Sequence, residues 1–380
     1  MNGTREALPL RPVHVLGRGA VCSLGHGLTA IHDALFAGTT AIAPRVRTAH
    51  FEAPTAVAAE FPPELFAALG GLSDLPFRAA MAAAEQALAE AGPLPRQRMA
   101  LLLASTKGDL RGVLDGDPGA GLGMPGRLAD RVAAALQLPS LGCISCACAS
   151  GIVALTTAAR RLHAGEFDHV LVVGVSVLHP FVMAGFGSLH ALDPQRCRPY
   201  DRRRRGVSLG EAAAAIVLGR DARPGCAQLV GHGGANDACH VTGPDRQGLG
   251  IALAAQRAVT AAGLQLPDID VLHLHGTATL ANDATEAIGL ANLFGGRTPP
   301  AFGTKGQTGH TLGASGVLEV LFTIEALRRR EAPANVGLDD PDVDAGLDLV
   351  RTPRRLSRAQ HALKVASGFG GVQAAVVVRA

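Results

Sequence analysis

Two segments of the chain place apolar residues at helical spacing directly after the tripeptide Ala-Ser-Gly. In the segment after the first tripeptide, residues 149–151, the apolar positions on one helix face are Ile152, Leu155, Ala159 and Leu162. In the segment after the second, residues 314–316, they are Val317, Leu321 and Ile324. Apolar residues that recur every three or four positions are typical of an amphipathic helix. The pattern therefore predicts two helices, each entered through a tight turn of small residues.

Short apolar runs that end in polar turns predict buried strands near these helices. The runs MALLLAST and DVLHLHGTAT, at residues 99–106 and 270–279, have this pattern. A second kind of strand is predicted where a Gly-rich turn precedes an apolar run, in residues 206–220 and 368–380. Both kinds of strand occur once in each part of the chain.

This repetition predicts an α/β protein with two similar halves, residues 1–222 and 223–380. The boundary is placed in the stretch DARPGCA, residues 221–227, because its Pro and Gly separate two predicted strands. A chance match of three small residues is the alternative explanation of the repeat.

The composition narrows the classes of protein to which the chain could belong. It has 380 residues, 48% of them hydrophobic and 18% charged, which is enough for two hydrophobic cores. A net charge of +3, one Tyr and no Trp argue against a nucleic-acid partner, because single-strand binders use aromatic stacking. The start has no secretory signal pattern and no apolar run is long enough to span a membrane. We therefore expect a cytoplasmic protein with no membrane partner.

The stretch CISCACASG, residues 143–151, holds three of the seven cysteines. A structural zinc site usually needs a second Cys pair or a His pair, and a redox CxxC pair opens a helix, so neither is favoured. No metal is therefore expected. Cys148 stands where a predicted strand becomes a helix, and a helix N-terminus stabilises a thiolate, so we expect a lowered pKa and a nucleophile there. Cys146 is the alternative nucleophile, and burial as small hydrophobes is the ordinary role of such residues.

Two histidines in Gly- and Thr-rich turns could assist a nucleophile. His275 stands in LHGTATLANDATE and His310 in GTKGQTGHTLGASG, with Lys305 and Glu319 alongside. A lone His is usually a core residue, but two in loops at strand and helix ends favour a catalytic site.

Four motifs in order resemble the β-ketoacyl-acyl carrier protein synthases, in particular the elongating Cys-His-His type of the thiolase superfamily. They are ACASG, HGTAT followed by Asp283 and Glu286, TKGQTGHTLGASG followed by Glu319, and the C-terminal GFGG. The resemblance covers nearly the whole chain. It implies the thiolase fold, in which two pseudo-duplicated βαβαβαββ halves form a five-layered α/β/α/β/α arrangement.

The resemblance also implies roles for single residues. Cys148 would accept an acyl chain from a carrier protein, and His275 and His310 would bind and decarboxylate malonyl-acyl carrier protein. The backbone N–H groups of Cys148 and Phe369 would form an oxyanion hole, and Phe369 would act as a gate over the acyl pocket.

Lys305 and Glu319 would then form an ordering ion pair beside the site. No cofactor is implied. The product would be a β-ketoacyl-acyl carrier protein, in fatty acid, polyketide or polyene biosynthesis. The alternative is a non-catalytic or decarboxylase-only partner subunit of a heterodimeric synthase, similar to a chain-length factor.

An acyl carrier protein is the implied partner, together with a second copy of the chain or a related chain in a dimer. Carrier proteins are acidic, so the run Arg202, Arg203, Arg204 and Arg205 is a candidate docking site, with internal ion pairing as the other explanation.

Compared with typical members of the family, the segment between Lys107 and Cys148 is short. Val207, Ala212, Ser367 and Gln373 also differ from the usual residues at their positions, which suggests a different substrate shape.

Overall fold

The structure is a computed structural model that describes residues 10–49, 53, 55–72, 74–110, 124–342 and 346–380. Residues 111–123, which are part of the segment between Lys107 and Cys148, lie outside the described residues. Within the described ranges, no helix is long and apolar enough to cross a membrane.

The first part of the chain forms eight strands and six helices in the described residues. The strands are β1 Val13–Cys22, β2 Gly25–His26, β3 Ala43–Pro44, β4 Val57–Ala58, β5 Met99–Ala104, β6 Ser140–Ile144, β7 His169–Ser176 and β8 Ala212–Gly219. The helices are α1 Leu28–Phe36, α2 Pro63–Ala68, α3 Leu75–Ala91, α4 Pro125–Ala135, α5 Ser150–His163 and α6 Pro180–Ser188.

The second part forms eight strands and four helices in the described residues. The strands are β9 Gln228–Asn236, β10 Val271–His273, β11 Pro300–Phe302, β12 Glu331–Ala332, β13 Asp348–Leu349, β14 Arg354–Arg355, β15 His361–Gly368 and β16 Val372–Arg379. The helices are α7 Leu249–Ala261, α8 Leu280–Leu293, α9 Lys305–Thr308 and α10 Ser315–Arg329.

The strand order is the same in the two parts. The first sheet runs β6-β5-β7-β8-β1 and the second β11-β10-β15-β16-β9, with β13 added beyond β11. In each sheet the first three strands are parallel and the fourth is antiparallel to its neighbours. The sheets join where β1 pairs with β9, at Val13 and Leu229. The repeated order agrees with the predicted duplication, while the exact division after residue 222 stays a prediction.

Helices lie in three layers around the two sheets. The central helices α5 and α10 pack against each other and against both sheets, and share one apolar cluster with them. On the outer faces, α3 and α4 cover the first sheet and α7 and α8 the second. The result is the predicted five-layered α/β/α/β/α arrangement.

Glycines let the two central helices meet at their N-termini. A Cβ atom on Gly316 would lie 2.4 Å from the backbone nitrogen of Ile152, and one on Gly151 would lie 2.8 Å from the Gly316 Cα atom. No side chain fits at such distances. The glycine of each Ala-Ser-Gly repeat is therefore the contact that brings the two turns before these helices side by side.

Candidate active site

Cys148 lies in a short 3₁₀ turn, Ala147–Ala149, between β6 and α5. The Ser150 hydroxyl accepts a hydrogen bond from the Cys146 backbone N–H at 2.9 Å and donates one to the Ala147 carbonyl. The side chain of Ser150 thus closes the turn. Cys148 is 7% exposed, whereas Cys146 is half-buried.

The surroundings of the Cys148 thiol are apolar, with Leu178, Met183 and Leu192 in the same cluster. Burial raises the pKa of this thiol to about 12, and the charge of Lys305 opposes that effect only in part. The expectation of a lowered pKa at Cys148 was therefore wrong for the free protein. Desolvation of the thiolate outweighs the helix N-terminus and the nearby cation.

His275 follows the end of β10 and is buried. The Lys305 ammonium contacts the His275 Nδ1 atom at 3.4 Å and also donates to the His275 carbonyl. Because an ammonium group can only donate, Nδ1 is the acceptor and the imidazole proton is on Nε2. The His275 backbone N–H donates to the Glu286 carboxylate at 2.6 Å, which fixes the turn.

His310 has the same tautomer for a different reason. Its Nδ1 atom accepts the backbone N–H of Leu312 at 3.4 Å, and lies 3.2 Å from the Ser315 hydroxyl. The proton is therefore on Nε2 here as well. The ring centroids of His275 and His310 are 5.5 Å apart, with an angle of 84° between the ring planes.

Both imidazoles are neutral near neutral pH. Burial lowers the pKa of His275 and His310 well below the ordinary value of 6.5, and the positive charge of Lys305 lowers both further. A neutral imidazole with its proton on Nε2 is a hydrogen-bond donor that carries no charge. The arrangement is suited to stabilising a negative oxygen between two such donors.

Two lysines bind one buried carboxylate behind the histidines. The Lys305 Nζ atom lies 2.6 Å from Glu319 Oε1, and the Lys364 Nζ atom lies 2.7 Å from Glu319 Oε2. The structure thus brings Lys305 and Glu319 together, as the resemblance implied. Lys364 was missed by sequence reasoning. Its signal was a single charged residue inside the otherwise apolar run ALKVA of a strand.

Phe369 lies in the turn between β15 and β16 and is 37% exposed. Its ring stacks on Phe186 of α6, with centroids 6.0 Å apart. The preceding residue, Gly368, packs against the nucleophile turn, since a Cβ atom there would lie 2.9 Å from the Cys146 carbonyl oxygen. Sequence reasoning did not identify Phe186 as the partner of Phe369.

Buried acidic groups hold the loop after His275. Glu286 also accepts the Tyr200 hydroxyl at 2.8 Å, and Asp283 accepts the backbone N–H groups of Tyr200 at 2.8 Å and Thr277 at 2.9 Å. Burial raises the pKa of Asp283 to about 6. Tyr200, the only tyrosine, is fully buried and was not among the predicted site residues.

One cavity of about 340 Å³ is lined by the predicted nucleophile and both predicted catalytic histidines, while Lys305 and Glu319 lie outside its lining. Cys148, His275, His310 and Phe369 all line it. Val207, Ser367 and Gln373, three of the positions that differ from the usual pattern, line it too. The fourth, Ala212, is buried in β8 and is not part of the lining.

The four consecutive arginines differ in their surroundings. Three of them form ion pairs with a later acidic segment: Arg202 with Asp340, Arg203 with Asp339 and Arg204 with Asp342. Arg205 is exposed, lines the cavity, and has no ion-pair partner in the described part of the chain.

Two protein-family models match the chain, one in each part. The model of the β-ketoacyl synthase N-terminal domain matches residues 10–223, and that of the C-terminal domain matches residues 226–339. The chain belongs to the β-ketoacyl synthase family. The resemblance inferred from the four motifs is thereby confirmed.

Individual relatives cover almost the full chain. The 3-oxoacyl-acyl-carrier-protein synthase 2 of Rhizobium meliloti is 30% identical, over 97% of this chain and 99% of its own. A β-ketoacyl synthase structure from Burkholderia phymatum is 29% identical with a TM-score of 0.86, and covers 97% of this chain and 99% of its own. The structure of the ishigamide ketosynthase/chain length factor is 27% identical with a TM-score of 0.87, at the same coverage. These similarities confirm the thiolase fold expected from the sequence.

Proposed function

We propose that the protein is an acyltransferase that joins an acyl group held on Cys148 to malonyl-acyl carrier protein, giving a β-ketoacyl-acyl carrier protein. The product would enter fatty acid, polyketide or polyene biosynthesis. The observation that supports this most is one cavity lined by a thiol and two neutral imidazoles, each with its proton on Nε2. The relatives named above are synthases of this kind.

The first step is transfer of the acyl chain to the thiol. Cys148 Sγ attacks the thioester carbonyl of an acyl-carrier protein, and the bond from that carbonyl to the carrier sulfur breaks. The Cys148 proton leaves with the carrier thiol, so the step is balanced. The backbone N–H groups of Cys148 and Phe369 are assigned to the tetrahedral oxygen. The high pKa of the free thiol means that its deprotonation accompanies the attack rather than preceding it.

The second step is loss of CO₂ from malonyl-carrier protein. When the carbon–carbon bond breaks, its electron pair moves into the thioester as an enolate. The Nε2–H groups of His275 and His310 donate to the enolate oxygen, in the manner of an oxyanion hole. Lys305 and Glu319 keep His275 in place for this role.

The enolate carbon then attacks the acyl group on Cys148. The new carbon–carbon bond forms, the carbon–sulfur bond to Cys148 breaks, and the thiolate takes up a proton from solvent. The enzyme is returned to its initial state with no net oxidation or reduction.

The proposed partners are an acyl carrier protein and a second chain of the same fold. Arg205 at the cavity mouth is the docking arginine of this proposal, because the other three are already paired. β6 pairs only with β5 among the described strands, so its outer edge is free for a dimer contact. The second chain is either another copy or a related synthase-like chain. We place the reaction in the cytoplasm.

Reconstitution with purified components tests this function. The isolated protein is incubated with acyl- and malonyl-carrier protein, and the β-ketoacyl product is measured by mass spectrometry. We expect product from the isolated protein, and none from Cys148→Ala. Decarboxylation without condensation, or no turnover until a second synthase-like chain is added, would instead support the partner-subunit alternative.

A further inference from the structure

Lysine is rare in this chain, and two of its lysines are buried at the site. The sequence has three lysines against 32 arginines. Lys305 and Lys364 are 1% and 0% exposed, whereas Lys107 is on the surface. Burying an ammonium group costs free energy unless it is paired and hydrogen-bonded. The burial of Lys305 and Lys364 therefore indicates that both ammonium groups have specific hydrogen-bonding partners at the site.

Both ammonium groups bind the same carboxylate and also bind consecutive backbone carbonyls. Glu319 lies between them, with one oxygen toward each lysine. Lys305 donates to the His275 carbonyl, and Lys364 donates to the Leu274 carbonyl at 2.9 Å. The backbone that carries His275 is thus tied to one glutamate at two successive residues.

The backbone carbonyls of Leu274 and His275 need hydrogen-bond donors of this kind. β10 ends at His273, so Leu274 and His275 have left the sheet while still buried. A buried carbonyl without a donor costs about 1–3 kcal/mol. An ammonium group with three donors can bind a carboxylate and a carbonyl at once, in a space where a planar guanidinium needs a different arrangement.

We propose that Lys364 is a positioning residue for decarboxylation: with Lys305 and Glu319 it holds His275 in place and adds a second positive charge behind the two imidazoles. The inference rests on the function proposed above and goes beyond it, because it assigns a role to a residue outside the cavity. Lys364 does not contact substrate and acts through His275.

The charges around Lys364 give this role a pH dependence. The groups that face it are Glu319 of α10, Lys305 of α9, Glu286 of α8, and the imidazoles of His273, His275 and His310. Burial lowers the pKa of Lys364 to about 8, and Glu319 opposes this. In turn, the charge of Lys364 lowers the pKa of His275 and of His310.

The ammonium form of Lys364 therefore predominates below about pH 8 and is lost as the pH rises through that value. Decarboxylation should decline over the same interval, because Glu319 then loses one of its two cations. At the acid end, decarboxylation should decline only well below pH 6.5, where the imidazoles take up protons.

The test compares Lys364→Met with Lys107→Met, the same change on the surface. Acyl transfer to the cysteine and decarboxylation of malonyl-carrier protein are measured separately across pH. For Lys364→Met we expect a fall in decarboxylation kcat of about 10–100-fold with little change in KM, since a small misplacement of a catalytic group has effects of this size. Acyl transfer should stay within about threefold, and Lys107→Met should resemble the parent protein.

The pH profile separates positioning from a general structural defect. In Lys364→Met the alkaline decline near about pH 8 should disappear, and the acid decline should move to higher pH because His275 has lost a nearby cation. Equal losses in both half-reactions with an unchanged profile, or an unchanged decarboxylation rate, would overturn the proposal. If the parent protein performs neither half-reaction, the proposed function fails instead.

A second measurement does not depend on the variant folding. Protein labelled with ¹³C at lysine Cε and in the histidine rings gives one NMR signal for each of the three lysines and separate histidine signals. The Lys107 signal is assigned by its loss in Lys107→Arg. We expect one buried lysine to titrate near about pH 8, together with the His275 ring signals and the alkaline decline in decarboxylation. Titration at the ordinary lysine value of 10.5, or without any change at His275, would contradict the role of Lys364.

Discussion

The two Ala-Ser-Gly turns have the same backbone conformation and carry different chemistry. In the first half, a 3₁₀ turn at Ala147–Ala149 leads into α5, and Ala147 has φ of 48°. In the second half, a 3₁₀ turn at Leu312–Ala314 leads into α10, and Leu312 has φ of 45°. Positive φ is uncommon for either residue type, so its occurrence at both positions marks a repeated structure.

The difference lies at one position of each turn. Cys148 in the first turn corresponds to Gly313 in the second, where a Cβ atom would lie 2.8 Å from the Ser105 Cα atom. The second turn has no room for a nucleophile, but His310 precedes it by two residues. The duplication thus provides two turns with the same backbone conformation. We propose that the first turn holds the acyl chain on Cys148, and that the second turn, through His310, helps to generate the attacking carbanion.

The largest expected effect comes from removing the donor of the second turn. His310→Ala should reduce decarboxylation of malonyl-carrier protein by about 10²–10³-fold, the usual consequence of losing one oxyanion donor. Acyl transfer should change little, because Cys148 belongs to the other turn. Separate measurement of CO₂ release and of acylation by mass spectrometry checks this. His163→Ala, at an exposed position of α5 outside the cavity lining, is the matched control. Equal loss of both half-reactions in His310→Ala would contradict the separate roles of the two turns.

The thiol of the first turn should show its high pKa in its reaction with iodoacetamide. Since burial raises the pKa of Cys148 to about 12, the alkylation rate should rise about tenfold per pH unit up to at least about pH 10. Peptide mass spectrometry of pulse-labelled protein gives the rate at each cysteine. A plateau below about pH 8 would mean that the helix N-terminus does stabilise the thiolate, as the sequence first suggested.

The contact between the two turns can be tested through stability. Gly316→Ala should lower the free energy of unfolding by about 1–3 kcal/mol, because the added methyl group meets backbone of the first turn. Gly185→Ala is the control, since a Cβ atom there has open space within a helix and should be neutral or stabilise by about 0.4–1 kcal/mol. Chemical denaturation measures the free energy of unfolding of both variants. An equal change in the two variants would contradict the close contact at Gly316.

The smallest effect is expected at the cavity mouth of the first half. Arg205→Ser should raise KM for the carrier protein by about two- to fivefold and weaken its salt dependence, because surface charges contribute about 0.2–1 kcal/mol. Arg202→Ser removes an arginine that already pairs with Asp340 and should have less effect. Kinetics at two salt concentrations compare the variants, and equal effects would remove Arg205 from the docking surface.

Motifs in the chain were sufficient to predict the fold and to indicate which residues meet in the cavity. They could do so because Cys148, His275 and His310 each stand at a strand or helix end with a characteristic turn. The pKa of Cys148 could not be predicted, since the side chains that bury it, such as Leu178 and Leu192, come from other segments.

Residues outside the motifs were missed for a related reason. Lys364 lies within a strand whose neighbours in sequence are apolar, and only the fold brings it to Glu319. In the same way, the ion pairs of Arg203 and Arg204 involve acidic residues more than a hundred positions later. Contacts of this kind depend on how the halves pack, which a local pattern does not contain.

The most direct test of the division between the two turns is mass spectrometry of the protein after incubation with acyl-carrier proteins of different chain length. We predict a single acyl adduct on the peptide that contains Cys148, present in the parent protein and in Cys146→Ala, and absent in Cys148→Ala. The accepted chain lengths would also define the substrate. An adduct that survives in Cys148→Ala, or no adduct on folded protein with any donor, would contradict the account.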